Sequence, residues 1–267
     1  MIVCTLGDLV LDVVVRLHRP LVRGDDAPSR TQIGPGGQAA NVAAWAAELG
    51  AQARLVAKRA DDDTGRLLGA ELERRGVEVF GPVASGRTGV VVSIGDPGGE
   101  RTMASDRGVG ATLAAGELDP EWFACDALHV SGYGLLVEDM AAAAASAAKA
   151  TRSRGGRVSL DLSTWSAIRG LGRDTFRRRA AALEPEIVFG RDRELDELAD
   201  AELAPTVVRK LGPEGAVVDG KTYAARPGPV VDTTGAGDAM AAGFLVGGIE
   251  LGLDAAARCV AKQGTMP

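Results

Sequence analysis

The sequence predicts an α/β protein: a mainly parallel sheet covered on both faces by helices, with a small second sheet standing off it. Two observations carry that expectation. Short β-branched apolar runs alternate along most of the chain with stretches of helical composition, the pattern of repeated strand–helix–strand units. Two strand-like segments, near residues 10–18 and 87–94, break the alternation, because no good helix separates them from the next strand.

Taken in order, Ile2 to Leu6 is an apolar run ending at Gly7-Asp8 and reads as the first strand. Leu11 to Leu17 is β-branched, punctuated by Asp12 and Arg16, and reads as a second. A turn-rich, charged stretch runs from Pro20 to Pro28. Ala39 to Leu49 has helical composition and stops at Gly50, a good residue just past a helix end. Arg54 to Ala57 reads as strand and Thr64 to Arg75 as helix, stopped by Gly76. Gly89 to Ile94 is β-branched. Further short apolar runs are Ala127 to Val130, Val158 to Leu162, Ile187 to Phe189, Val207 to Leu211 and Ala216 to Val218. Helical patterns fall at Val137 to Ser153, Asp174 to Leu183, Ala239 to Val246 and Asp254 to Ala261. No repeat, low-complexity segment or long linker interrupts them, so one domain over residues 1–267 is expected.

Hydrophobic residues at 46% and charged residues at 25% give the composition of a globular chain with a sizeable core. Aromatics are only 4%, and Ala and Gly fill much of the remainder, which suits close packing of helices on a sheet. A net charge of −6 argues against nucleic acid as a partner, since a binder of phosphate backbone carries a basic face. Cys4, Cys125 and Cys259 form no CxxC pair, and the histidines are His18 and His129 alone, so a zinc site has little support. The sparse thiols read as core residues of a protein in the reducing cytoplasm. The opening MIVCTLGDLV lacks the basic start and cleavage site of a signal peptide. Ala141 to Ala150 is broken by Ser146 and Lys149 and reads as an ordinary helix, so no membrane segment is expected.

The most informative stretch is Asp232-Thr233-Thr234-Gly235-Ala236-Gly237-Asp238, directly before a helical run. Gly235 and Gly237 let the backbone turn tightly and approach a ligand. The amides of Gly235, Ala236 and Gly237 would then point outward at a helix N-terminus, where the helix dipole favours negative charge. Asp238 reads either as the N-cap of that helix or as a carboxylate facing a ligand. An earlier loop, Gly34-Pro35-Gly36-Gly37-Gln38-Ala39-Ala40-Asn41, also leads into a helix. Gly36-Gly37 permits close approach of a polar ligand, and Asn41 can donate and accept toward hydroxyls.

Together these pieces resemble the ribokinase-like (pfkB) carbohydrate kinases. Gly36-Gly37-Gln38-Ala39-Ala40-Asn41 is similar to the family's early glycine signature, and Asp232 through Asp238 to its late one. Lys210-Leu211-Gly212-Pro213-Glu214-Gly215 resembles its nucleotide-contacting turn, and Gly7 through Asp12 its first strand and sugar-reading aspartate. The resemblance spans essentially the whole chain. It implies a three-layer α/β/α sandwich with a mostly parallel central sheet, and a small β lid formed by segments at about 10–33 and 86–107.

The same resemblance implies ATP-dependent phosphorylation of a hydroxyl on a small sugar or sugar acid. Asp238 would be the general base and the amides of Gly235, Ala236 and Gly237 the anion hole. Asp12, Gly36, Gly37 and Asn41 would read sugar hydroxyls. Glu194, Lys210, Gly212 and Gly215 would line the nucleotide, Mg²⁺ would accompany ATP, and Asp232 and Thr234 match positions where many members bind a monovalent cation such as K⁺. A homodimer paired through the lids is implied as well.

Three departures bear on these roles. The family often has Asn-x-x-Glu near the phosphates, and here the stretch is Arg191-Asp192-Arg193-Glu194, which keeps Glu194 and puts Arg191 in place of the Asn. Lys210 stands where Thr is commoner. The chain stops at Pro267, whereas most members continue, so either the family tail is shortened or the sequence ends early. Arg101 and Arg107 lie in the segment that would enter the site under the lid, where an Arg pairs with a substrate carboxylate or is simply a solvated loop residue. Nucleoside phosphorylation ranks second, because few aromatics stand near the lid to stack on a base. A non-catalytic sugar-binding relative is a third reading. A nicotinamide-dependent oxidoreductase is excluded, because the first strand runs into Gly7-Asp8-Leu9-Val10 and not into G-x-G-x-x-G.

Overall fold

A computed structural model describes residues 1–98, 101–198 and 203–267. The first half contains β1 (Ile2–Leu6), β2 (Val10–Leu17), β3 (Ser29–Gly36), α1 (Gln38–Glu48), β4 (Gln52–Val56), β5 (Arg59–Ala60), α2 (Asp63–Arg74), β6 (Val77–Phe80), β7 (Val83–Ala84), β8 (Thr88–Gly95) and β9 (Arg101–Gly108). The second half contains β10 (Ala127–Ser131), α3 (Glu138–Arg152), β11 (Arg157–Asp161), α4 (Trp165–Leu171), α5 (Arg173–Ala181), β12 (Ile187–Arg191), α6 (Asp192–Glu197), β13 (Thr206–Lys210), β14 (Ala216–Val218), β15 (Lys221–Tyr223), α7 (Ala236–Gly247) and α8 (Ile249–Val260).

The large sheet has the order β15-β14-β13-β12-β11-β10-β1-β4-β6. Every pair from β13 to β6 is parallel, and β14 and β15 close one edge antiparallel. Alternate residues of each strand feed two cores on opposite faces. Val3, Leu55 and Phe189 meet Trp45 of α1, Leu72 of α2 and Met240 of α7 on one face. Cys4, Leu128 and Leu160 meet Ala144 of α3 and Phe176 of α5 on the other. The shortage of aromatics is met by small residues: Ala143, Ala144, Ala147 and Ala148 of α3 are fully buried. Helices α7 and α8 approach closely at Gly243, where an added Cβ would lie 2.6 Å from the Leu251 carbonyl oxygen.

The chain builds the sheet outward from β1 to β6 on one side, then returns to lay β10 on the other side of β1. This reversal opens a crevice at the carboxyl ends of β1 and β10, the usual place for a ligand in an open α/β sheet. Over it stands a four-stranded sheet, β3-β2-β8-β9, in which β2 and β8 run parallel. A two-stranded sheet, β5-β7, is separate from both.

The two edge strands of the small sheet, β3 and β9, carry no sequence signal, because they are largely exposed and need no apolar alternation. Helix α7 begins at Ala236, three residues before the apolar run that predicts it, and α8 begins at Ile249, five residues earlier than expected. The start of α8 is hidden because Gly248, with φ 84, joins the two helices without a polar loop. Among the described residues no helix is long and apolar enough to cross a membrane. Cys4, Cys125 and Cys259 are free and buried.

Candidate active site

The glycines that precede α1 bring its N-terminus against β1 and β2. Gly36 has no room for a side chain: a Cβ there would stand 2.0 Å from the Asp12 carboxyl carbon. Gly37 adopts φ +97, and its Cβ would fall 2.5 Å from the Asp8 carbonyl oxygen. One turn further, the Asn41 side chain donates from Nδ2 to Asp238 Oδ2 at 2.7 Å, while its buried Oδ1 has no partner among the described residues. The early and late glycine loops, 197 residues apart, therefore meet at this hydrogen bond.

Asp238 is not an N-cap. Gly235, in the left-handed region at φ 80, caps α7, and Asp238 is the third residue of the helix. Its carboxyl group is pushed up to about 6, chiefly by burial and also by the Asp161 carboxylate, against the opposing pull of Asn41, Lys210 and Gln38. Asp12 is pushed up to about 7 by burial and by Asp238, opposed by Arg101. The Ala236 amide turns back onto the Thr233 carbonyl oxygen at 3.4 Å. A carboxylate near neutrality at a helix N-terminus can accept a proton while the amides there without an intrahelical partner hold an anion.

The other half of the site lies at the ends of β11, β12 and β13. Lys210 ends β13 and donates from Nζ to Asp161 Oδ2 at 2.6 Å. Asp161 ends β11, is 1% exposed, and accepts a second bond from the Ser163 amide at 3.0 Å. The same Nζ stands 3.3 Å from where a Cβ on Gly237 would be, so the ammonium lies against the first turn of α7. Arg191 ends β12 beside Lys210. Glu194 is buried and accepts from the Arg191 amide at 2.8 Å and from its Nη2 at 3.0 Å. Gly212 opens a tight turn with φ 61, and Gly215 at its end has no room for a Cβ, which would meet the Tyr223 carbonyl oxygen at 2.0 Å.

At the entrance to α7, Asp232 Oδ1 accepts from the Thr234 amide at 2.9 Å and from its hydroxyl at 2.6 Å, and Oδ2 from the Gly264 amide at 3.1 Å. Burial works against ionisation of Asp232, and these bonds outweigh it and hold its carboxyl below the ordinary value. Arg101 of β9 crosses from the small sheet and donates from Nη1 to the Thr234 hydroxyl at 2.7 Å. Gly99 and Glu100, which precede it in the expected lid segment, lie outside the described residues. Arg107 is neither solvated nor open to a ligand carboxylate: it forks onto Asp8 at 2.6 and 2.8 Å and donates to the Tyr133 carbonyl oxygen at 2.8 Å.

Asp161 and Tyr133 were not candidates from sequence. Tyr133 follows β10, is half-buried, and is raised in pKa by burial and by the charges of Asp238 and Asp161. The one available signal for Asp161 was a lone acid inside the apolar run Val158 to Leu162. Among the described residues no group of three acids, histidines or cysteines could cage a metal ion. Mg²⁺ is held typically through one or two carboxylates plus substrate phosphates. Asp161 and Glu194 are already taken up by Lys210 and Arg191, so an ion arriving on a nucleotide would be held mainly by the phosphates.

The profile of the pfkB family carbohydrate kinase matches residues 3–264. An ATP-dependent ribose-1-phosphate kinase of Halopiger xanaduensis is 34% identical over 278 residues, covering 96% of this chain and 90% of the relative. A fructokinase of Klebsiella pneumoniae is 32% identical, covering 91% of this chain and 82% of the relative. The adenosine kinase from Sinorhizobium meliloti superposes with a TM-score of 0.87 at 25% identity, over 99% of this chain and 95% of that one. The chain belongs to the pfkB family of carbohydrate kinases. Within that class it is an ATP-dependent kinase of sugars or nucleosides.

Proposed function

We propose that this protein transfers the γ-phosphoryl group of ATP to a hydroxyl of a small sugar, with Asp238 as general base. The observation that carries the reading is the position of Asp238: raised to about 6, bonded to Asn41 at 2.7 Å, and set in the first turn of α7. The sugar hydroxyl gives its proton to the Asp238 carboxylate as its oxygen bonds to the γ-phosphorus. The bond from that phosphorus to the β–γ bridging oxygen breaks, and ADP leaves. The amides of Gly235, Ala236 and Gly237 hold the phosphoryl oxygens, and positioning with charge stabilisation does most of the catalysis. Asp12 accepts from sugar hydroxyls, the unpartnered Asn41 Oδ1 takes another, and Gly36 and Gly37 give the sugar its approach. Gly212 and Gly215 shape the turn that borders the nucleotide. Mg²⁺ bound to ATP would neutralise phosphate charge.

Ribose- and fructose-sized substrates are supported by the two relatives named above. A sugar acid read by Arg107 has less support, because Asp8, the Tyr133 carbonyl oxygen and Met140 Sδ engage four of the five donors of that largely buried guanidinium. K⁺ at Asp232 and Thr234 fits less well: the Asp232 oxygens accept internal hydrogen bonds, and Arg101 already brings positive charge to Thr234. In the reading, the small sheet is a lid over the sugar. Its face opposite Asp12 presents Val13, Val15, Ile33, Val92 and Ile94, with Ile33 64% exposed, and a second lid in a homodimer would cover it.

The test is a coupled ADP-release screen with Mg-ATP over ribose, ribose 1-phosphate, fructose, 2-keto-3-deoxygluconate and adenosine. Sugar-dependent ADP release that disappears in Asp238→Asn is the expected result. Release that survives the substitution removes Asp238 as the base, and adenosine as the sole acceptor moves the substrate class to nucleosides.

A further inference from the structure

Resting on the kinase reading above, we propose that Arg191 and Lys210 form a built-in polyphosphate clamp, so that the protein binds ATP nearly as well without a divalent cation as with one. Arg191 and Lys210 are direct partners across adjacent parallel strands, which puts both side chains at the same edge of the sheet. Each leans on a buried acid of that edge, Arg191 on Glu194 and Lys210 on Asp161. The acids fix the cations in place, and neither cation is spent: an ammonium has three donors and a guanidinium five.

The two cations face the nucleotide side of the crevice. Lys210 Nζ lies against the first turn of α7, where the anion-holding amides are, and its charge is felt by Asp238. The Arg191 side chain is 59% exposed, yet close enough to Tyr133 for its charge to act on that hydroxyl. Arg101 adds a third positive group from the lid side, at Thr234. Metal-free ATP carries about four negative charges, and its binding normally suffers from their mutual repulsion. Arg191 and Lys210 are balanced in charge by Glu194 and Asp161, so the compensation that a divalent ion otherwise brings comes from their remaining N–H donors, from Arg101 and from the helix N-terminus.

The test measures nucleotide affinity by calorimetry, in EDTA and in excess Mg²⁺, on the full chain. Wild type is expected to bind metal-free ATP within about threefold of Mg-ATP. Arg191→Asn and Lys210→Thr together should weaken metal-free ATP by at least ~30-fold and Mg-ATP by under ~5-fold, from the usual worth of charge-assisted bonds. Arg191→Lys with Lys210→Arg should retain metal-free binding. Lys210→Thr leaves Asp161 without its cation, so two further variants guard against misfolding. Arg191→Asn with Glu194→Gln, and Lys210→Thr with Asp161→Asn, each remove both charges of a buried pair. Wild-type affinity for metal-free ATP more than ~10-fold below that for Mg-ATP, with equal losses in both conditions for the variants, overturns the clamp and leaves the kinase reading standing. Absence of binding under both conditions overturns the kinase reading and the clamp with it.

Discussion

The two halves of the crevice treat their carboxylates in opposite ways. Beneath the small sheet, Asp12 and Asp238 have no salt-bridge partner among the described residues, and both are driven up toward neutrality. At the ends of β11 and β12, Asp161 and Glu194 are more deeply buried, yet each is matched by a cation within 3.0 Å. An unpaired, desolvated carboxylate is a stronger base, which suits the half that must take a proton from a hydroxyl. A paired one serves as an anchor, holding a positive group where phosphate charge must be met.

The contrast is broken most severely at Asp238. Asp238→Asn should lower kcat by about 10²–10⁴-fold, the usual worth of a general base, with the fold intact by circular dichroism. Next comes Lys210→Met, which strands the buried Asp161 charge. It should cost about 3–5 kcal/mol in urea unfolding, as for other broken buried pairs, and Asp161→Asn added to it should recover much of that loss. Gly36→Ala should raise the KM for sugar by about tenfold, since its Cβ must push aside the Asp12 carboxylate and a misplaced contact costs on the order of 1–3 kcal/mol.

The smallest effects are in pH. The plot of kcat/KM should rise about tenfold per pH unit up to about 6, where Asp238 loses its proton, and then level off. Stability should run the other way. Asp12 and Asp238 are raised, so between the ordinary carboxylate value and about 7 the folded chain binds more protons than the unfolded chain. Stability is therefore greatest at acid pH within this window and declines as pH rises through it. Asp12→Asn removes one such group and should raise Tm at pH 8 by about 2–4 °C, with little change at pH 4. The same Tm difference from wild type at both pH values would mean that Asp12 is not perturbed by its surroundings.

The late glycine loop was legible because its chemistry is local: Gly235, Gly237 and Asp238 sit within four residues of one another. The parallel sheet was legible because buried strands must be apolar on both faces. What escaped depends on contacts between distant residues. Arg107 looks like an open loop cation until Asp8, 99 positions away, is seen to hold it. Asp161 hides in a run that otherwise reads only as core. Arg191 and Lys210 were visible as unusual cations, but their adjacency follows from strand register, which no local pattern records. The strands β3 and β9 escaped because exposed edges leave composition free.

Arg101 carries one last consequence. Its bond to Thr234 ties the small sheet to the loop that opens α7 and acts as a latch between them. In the proposed reading, admission of a sugar depends on how often that latch opens, and collision frequency alone does not set it. Viscosity should have little influence on the association rate, whereas Arg101→Ala should quicken both entry and escape. An enzyme of this kind would trade speed of capture for the time its captive spends sheltered from water.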